Sequence, residues 1–270
     1  MIATTGALAA AAGSPLVDVG STASRVGLVA VLLTCAGLAA LVNVVGGLGH
    51  AWAVLRAAGR AVLQLLAVAV VVTAVLSSLP LTLGFLAVMA TVASATAARR
   101  LTRNVSGAWC VLPVVSAAVP VLVLLVGLRL VPATGTALVP VGGILIGGAM
   151  TATVLAGRRA LDAISTRYGE YEAGLSIGLG RRDAALLVAR EDAALALLPG
   201  LDQTRTVGLV TLPGAFVGML LGGATPAEAA AVQLVVLVAL LLVQSTAVLI
   251  VLELVAGGRL RDPRRRGVAP

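Results

Sequence analysis

The sequence predicts an all-α, polytopic membrane helix bundle of about seven transmembrane helices, with the N-terminus outside and the C-terminus inside. Three observations predict it. First, 60% of the 270 residues are hydrophobic, 11% are charged and 2% are aromatic, whereas a soluble domain carries about a quarter charged residues. Second, long apolar runs alternate with mostly short arginine-bearing connections, and at about 1.5 Å rise per residue such runs cross an apolar layer of roughly 30 Å. Third, all 19 basic residues are arginine. When the runs are threaded in order, only Arg25 and Arg129 fall on the outer side, which sets the orientation.

Taken in order, residues 1–21 read as a mobile N-terminal tail. The first 24 residues contain no Lys or Arg, so the charged opening of a secretory signal is missing. A transmembrane domain follows over 22–256, with spans expected near 25–47, 61–79, 81–98, 110–131, 138–157, 205–222 and 229–254. The bilayer has no water for stray backbone groups, so the spans must be helices. A tight turn at Ser77–Pro80 joins the second and third as an antiparallel hairpin. In the fifth, Gly143 and Gly147 form a small-xxx-small pair, and in the sixth Gly214, Gly218 and Gly222 repeat that spacing, which lets helix backbones approach closely. Pro213 removes one intrahelical hydrogen bond and is expected to kink the sixth helix. Arg56, Arg60, Arg99, Arg100 and Arg103 fall inside. So does a basic cytoplasmic tail, 257–270, with Arg259, Arg261, Arg264, Arg265 and Arg266.

One connection is long. Residues 158–204 carry most of the acidic groups, including Asp162, Glu170, Glu172 and Asp183. Two polar helices are expected here, joined by a bend where Gly178 and Gly180 interrupt the helical pattern. The second helix runs from about Arg181 to Leu198 and is ended by Pro199-Gly200, with Asp183 in its first turn, where acids are favoured. Such a bend invites a cytoplasmic partner; the bland alternative is a solvated loop lying on lipid headgroups.

The formal charge of +8 sits at the ends of apolar runs, so it speaks for topology and anionic membrane lipid and against nucleic acid. Cys35 and Cys110 have a spacing that suits neither a zinc site nor a disulfide framework. Met89, Met150 and Met219 are scattered singly, as packing residues are.

Glu172-Ala173-Gly174 followed by Gly178 resembles the coupling loop of ABC transporter permeases, although the Leu-Pro expected after it arrives late, at Leu198-Pro199. Further stretches together resemble the FetB-like iron-export ABC transporter permease family. They are Arg60 to Leu66, Val139 to Gly147, Leu175 to Gly178 and, above all, Thr206-Val207-Gly208-Leu209-Val210-Thr211-Leu212-Pro213-Gly214 with Gly218. This resemblance implies a permease subunit, not an enzyme, in the cell membrane. It would pair with a separate cytoplasmic ABC ATPase, most simply as two copies of each, in an ATP-driven exporter of iron or a related metal species. ATP and Mg would bind the partner, and no cofactor is expected here. The chain has no lysine and hence no Walker A sequence. Glu172, Leu175, Gly178, Leu179, Gly180, Arg181 and Arg182 are the expected coupling residues.

Polar groups for a translocation path or gate are sparse. The candidates are Gln64, Gln233 and Gln244, with Asp202, Gln203, Thr206 and Pro213 around the start of the sixth span. A membrane amide also serves as an interhelical hydrogen-bonding group worth roughly 1 kcal/mol. Asp202 reads equally as a helix N-cap or as a cation entry site or gate paired with Arg205. Glu253, near the inner end of the last span, is expected to be solvated or paired with Arg259. His50, the only histidine, lies in a cytoplasmic connection, and no metal-ligating cage is legible. Two alternatives stay open: an ATP-independent small-solute or ion carrier, and an ABC permease of the same family with a non-metal substrate.

Overall fold

Apolar runs this long have no solution other than helix, and in the computed structural model, which describes residues 21–102 and 104–261, the regular elements are helices. The predicted 1–21 tail (apart from Ser21), Arg103 and tail residues 262–270, with Arg264, Arg265 and Arg266, lie outside the described residues. The elements are α1 (Thr22–Val45), α2 (Ala51–Leu76), α3 (Leu79–Leu101), a 3-10 turn (Val105–Cys110) leading into α4 (Val111–Gly127), α5 (Gly135–Thr166), α6 (Tyr168–Ser176) and α7 (Arg181–Ala194). A second 3-10 turn (Leu195–Leu197) then precedes α8 (Leu198–Thr206), α9 (Gly214–Leu221) and α10 (Pro226–Ala256). Six of these stretches are long and apolar enough to cross a membrane: α1, α2, α3, Val105–Gly127, α5 and α10.

The chain divides into two units, Met1–Ala74 with Leu221–Gly223, and Val75–Leu220 with Ala224–Pro270. In the first, α1 opens on Ser21, whose Oγ accepts the Ser24 N–H at 3.1 Å. Most of the large side chains of α1 and α2 are exposed within this chain, for example Leu33, Leu63 and Leu65, a surface that suits lipid or another protein rather than water.

In the second unit α5 is the central post, packed against α3, α4, α7 and α10. Small residues make this possible. A Cβ on Gly142 would press on Leu86 of α3, and one on Gly157 would stand 2.8 Å from a Leu101 methyl and 3.3 Å from Val251 of α10, while Gly148 abuts Leu240. These contacts advance together along the helices, so α3, α5 and α10 run parallel. The inner stripe of α5, including Leu145, Ala149, Ala156, Ala160 and Leu161, is fully buried.

Three expectations need correction. The predicted span 205–222 is not one helix. α8 stops at Thr206, α9 begins at Gly214, and Gly208 between them sits at φ 82°, a left-handed conformation that glycine tolerates. Pro213 has no N–H and pushes Leu212 out of helical geometry, so it breaks the helix where a kink was expected. Second, Pro199 opens α8 at its first turn instead of ending α7, which already stops at Ala194; proline is well suited to that position. Third, α7 is not a free polar helix. Ala184, Ala185, Leu186, Val188, Ala189 and Ala193 form a buried stripe packed on α5 and α10.

Candidate functional site: a glycine bend and a broken helix

The bend between α6 and α7 is built from glycine and held by arginine. Gly178 has φ 93°, a reversal that a side chain would strain. A Cβ on Gly174 would meet the Ala184 Cβ at 3.2 Å, so the two arms of the bend cross at close range. Arg167, at the junction of α5 and α6, donates to the Val188 carbonyl and pairs with Asp192, which clamps α7 to the end of α5.

Arg182 reaches out of the bend to Glu253 near the end of α10. Its Nε donates to Oε2 at 2.8 Å and its Nη2 to Oε1 at 2.7 Å, while Nη1 meets Asp183 at 3.0 Å. The expectation that Glu253 is solvated or pairs with Arg259 is therefore replaced: the bidentate fork fits a planar guanidinium. Arg259 instead lies 5.2 Å over the Trp109 ring. The hydrogen bond to Glu253, reinforced by the attraction of its carboxylate, raises the Arg182 pKa above its ordinary value. Glu172, Ile177, Leu179, Gly180 and Arg181 are exposed around the tip, with Ile177 at 80%, and Leu175 is half-buried.

A second cluster lies between α5, α8 and α10. The Gln244 amide is wedged against the bare Cα of Gly200, and its Oε1 is buried without a hydrogen-bond partner. Elsewhere on α5 the fully buried Thr153 hydroxyl also has no partner.

The third feature is the break itself. Thr206 ends α8 with its hydroxyl donated to the Asp202 carbonyl at 2.8 Å, and its carbonyl accepts the Val210 N–H at 2.9 Å; Gly208 N–H donates to the Thr211 carbonyl at 2.9 Å. Val207, Gly208, Leu212 and Pro213 of this turn, with Phe216 of α9, line a cleft of about 430 Å³ together with Ala230, Gln233, Leu234 and Leu237 of α10. Gln233 is 7% exposed, and its Oε1 has no partner.

The remaining predicted residues are dispersed. Asp202 sits inside α8, not at an N-cap, and pairs with Arg205 at 3.5 Å, both exposed. Gln203 is exposed beside it, and Gln64 is exposed on α2. A Cβ on Gly143 would meet Met89 at 3.0 Å, whereas Gly147, Gly214 and Gly218 have open space around them in this chain; Gly222 falls past the end of α9. The structure thus brings together Pro213 and Gln233 at the cleft, with Thr206 one residue before its lining, and Arg181 and Arg182 with the bend. Gly200 was missed as a contact maker, and Glu253 was expected to be solvated or to pair with Arg259 where it pairs with Arg182. The signal for Glu253 was an acid near the end of an apolar helix; Gly200 carried none. Among the described residues no three His, Cys, Asp or Glu side chains gather as a metal site.

Comparison with known proteins bears on this arrangement. The chain is 39% identical over 114 residues to the UPF0014 membrane protein STAR2 of Oryza sativa subsp. japonica, covering 42% of this chain and 40% of that one. It is 40% identical over 114 residues to the protein ALUMINUM SENSITIVE 3 of Arabidopsis thaliana, covering 42% of each. With the probable iron export permease protein FetB of Escherichia coli (strain K12) the identity is 30% over 112 residues, 42% of this chain and 43% of FetB. These matches span about two fifths of the length of the curated relatives. No solved structure matches the chain. The model of UPF0014, described as an uncharacterised protein family, matches residues 25–258. With six apolar helices of spanning length, this chain is a multi-pass integral membrane protein, and it belongs to the UPF0014 family.

Proposed function

We propose that the chain is the permease subunit of an ATP-driven ABC exporter in the cell membrane. It works as a homodimer with a separate cytoplasmic ATPase and moves iron or a related metal species. The observation that carries this reading is the bend. Its tip shows an 80% exposed Ile177 between Gly178 and Ser176, and its root is forked to α10 through Arg182 and Glu253. An apolar tip on a rigid, arginine-held base is what a partner needs to grip and push. The likeness to FetB, named a probable iron export permease, supports the transport role and supplies the cargo. The arginine distribution supports an N-terminus outside and a bend inside.

The test is co-purification of the chain with an ABC ATPase co-expressed from the same source. Gly178→Asp, which points a charged side chain from the tip, is expected to abolish co-purification while the chain still elutes as the wild type does. A cysteine at Ser176 should label only from the cytoplasmic face. Retained assembly in Gly178→Asp, or labelling from outside, removes the coupling role.

A further inference from the structure

We propose that the stretch between α7 and α10 crosses the membrane as a discontinuous helix. Its break forms with Gln233 a binding site for a neutral, largely apolar solute that carries a hydrogen-bond donor. This deepens the permease reading, on which the solute's transport rests, although binding itself needs no partner.

The topology requires the crossing. α5 and α10 run parallel, as their contacts Gly148 to Leu240 and Gly157 to Val251 show. The fork from Arg182 holds the bend at the C-terminal end of α10. The chain leaving α7 must therefore reach Pro226 at the opposite end. It does so by climbing α10 in reverse: Gly200 lies against Gln244, and residues 207–216 lie against 230–237. From Gln244 to Gln233 is a climb of about 16 Å at helical rise.

Non-helical backbone at membrane depth is tolerated where it is buried in protein or lines a cavity, and broken helices of this kind frame the substrate sites of many transporters. Here the cavity is present, at about 430 Å³, within the range of small-molecule sites. One buried group in its wall is unfulfilled. Gln233 is 7% exposed, and its carbonyl oxygen is unpartnered and shielded; a turn of the amide toward the cleft would let a donor on a bound solute satisfy it.

The wall also defines the ligand's chemistry. Val207, Leu212, Phe216 and Leu237 line the cleft together with Gln233, and among the described residues no carboxylate, imidazole or thiol lines it. A bare divalent cation exchanges its water for charged or numerous oxygen ligands, and this site has one amide. A solute with an apolar body and a hydroxyl or N–H matches both the wall and the orphaned oxygen. A metal enters this cleft only inside a neutral chelate of that description.

The test uses the full chain in nanodiscs, without an ATPase, with Leu212→Cys in a background of Cys35→Ala and Cys110→Ala. Alkylation by N-ethylmaleimide is timed in the presence of benzyl alcohol, toluene or Mn²⁺. Benzyl alcohol is expected to slow alkylation at least fivefold and toluene less than twofold. Gln233→Leu should bring the alcohol down to toluene's level without changing the unprotected rate, with Gln233→Met as the second variant should the first elute abnormally. Equal protection by alcohol and toluene, protection by neither, or protection by Mn²⁺ that Gln233→Leu abolishes overturns the proposal. Single cysteines from Arg205 to Gly222 should show unbroken reagent access over Val207–Pro213; a 3.6-residue period through the whole stretch overturns the break. Because the ATPase is absent, failure here leaves the coupling bend standing, and loss of the coupling role leaves this result intact.

Discussion

Gly200→Ala tests whether α8 is locked to α10 through the Gln244 amide. A Cβ on Gly200 would land on Gln244 Oε1 and stand 3.0 Å from its Cδ and 3.3 Å from its Nε2. Gly148 of α5 also lies near the amide, at 3.8 Å from a virtual Cβ to Nε2, which limits its room to retreat. Forced repacking at a buried site costs about 1–3 kcal/mol. The displaced group is a polar amide already lacking a partner for its oxygen, so the upper half of that range, about 2–3 kcal/mol, is expected. Gln244→Ala should be close to neutral. It leaves a cavity, which costs stability, but removes a buried, unpartnered carbonyl whose desolvation costs about 1–3 kcal/mol. In the Gln244→Ala background, Gly200→Ala should then cost under about 0.5 kcal/mol, a coupling energy of roughly 2 kcal/mol in the double-mutant cycle. The assay is denaturant titration in mixed micelles followed by circular dichroism. An equal cost in both backgrounds, or no cost in either, refutes the lock.

Three further outcomes are expected. Gly135→Ala places a Cβ 2.8 Å from the Leu76 Cα and 3.0 Å from its carbonyl oxygen; backbone cannot yield as a side-chain tip does, so a loss of about 1–3 kcal/mol is expected in the same titration. Arg182→Glu should uncouple ATP hydrolysis from transport in the assembled exporter, and adding Glu253→Arg should restore it, as read by cargo-stimulated ATPase activity; no rescue by the swap would show that the fork is not the link. Asp202→Asn removes an exposed pair at 3.5 Å and should change stability by under about 0.5 kcal/mol. Transport surviving that change undiminished ends any entry-gate role for Asp202.

The six long helices were legible because each is an apolar run without a charge in its middle, and hydropathy sees that directly. The broken crossing was not, since Thr206 to Gly214 is as apolar as any helix and composition does not record a left-handed Gly208. Gly208 and Pro213 together, five residues apart, were the available sign; reading Pro213 alone turned a break into a kink. The start of α10 was also readable and was set a turn late: Thr225 and Glu228 form a capping box around Pro226, the S/T-x-x-E signature of a helix start. The glycine bend was visible in Gly174, Gly178 and Gly180. Its attachment was not, because Glu253 lies 71 residues from Arg182 and no local pattern joins them. Likewise Gly200 carried no sign of Gln244, whose contact exists only once α8 has folded back along α10.

The last helix is one uninterrupted element of 31 residues that carries Gln233 near one end and Glu253 near the other, about 30 Å apart at helical rise. It has no hinge between the Gln233 amide and the Glu253 fork, so a tilt imposed at either end is delivered to the other as by a stiff lever. By linkage, any solute that prefers one tilt must alter the grip of whatever holds the bend by the same factor that this holder alters the solute's affinity.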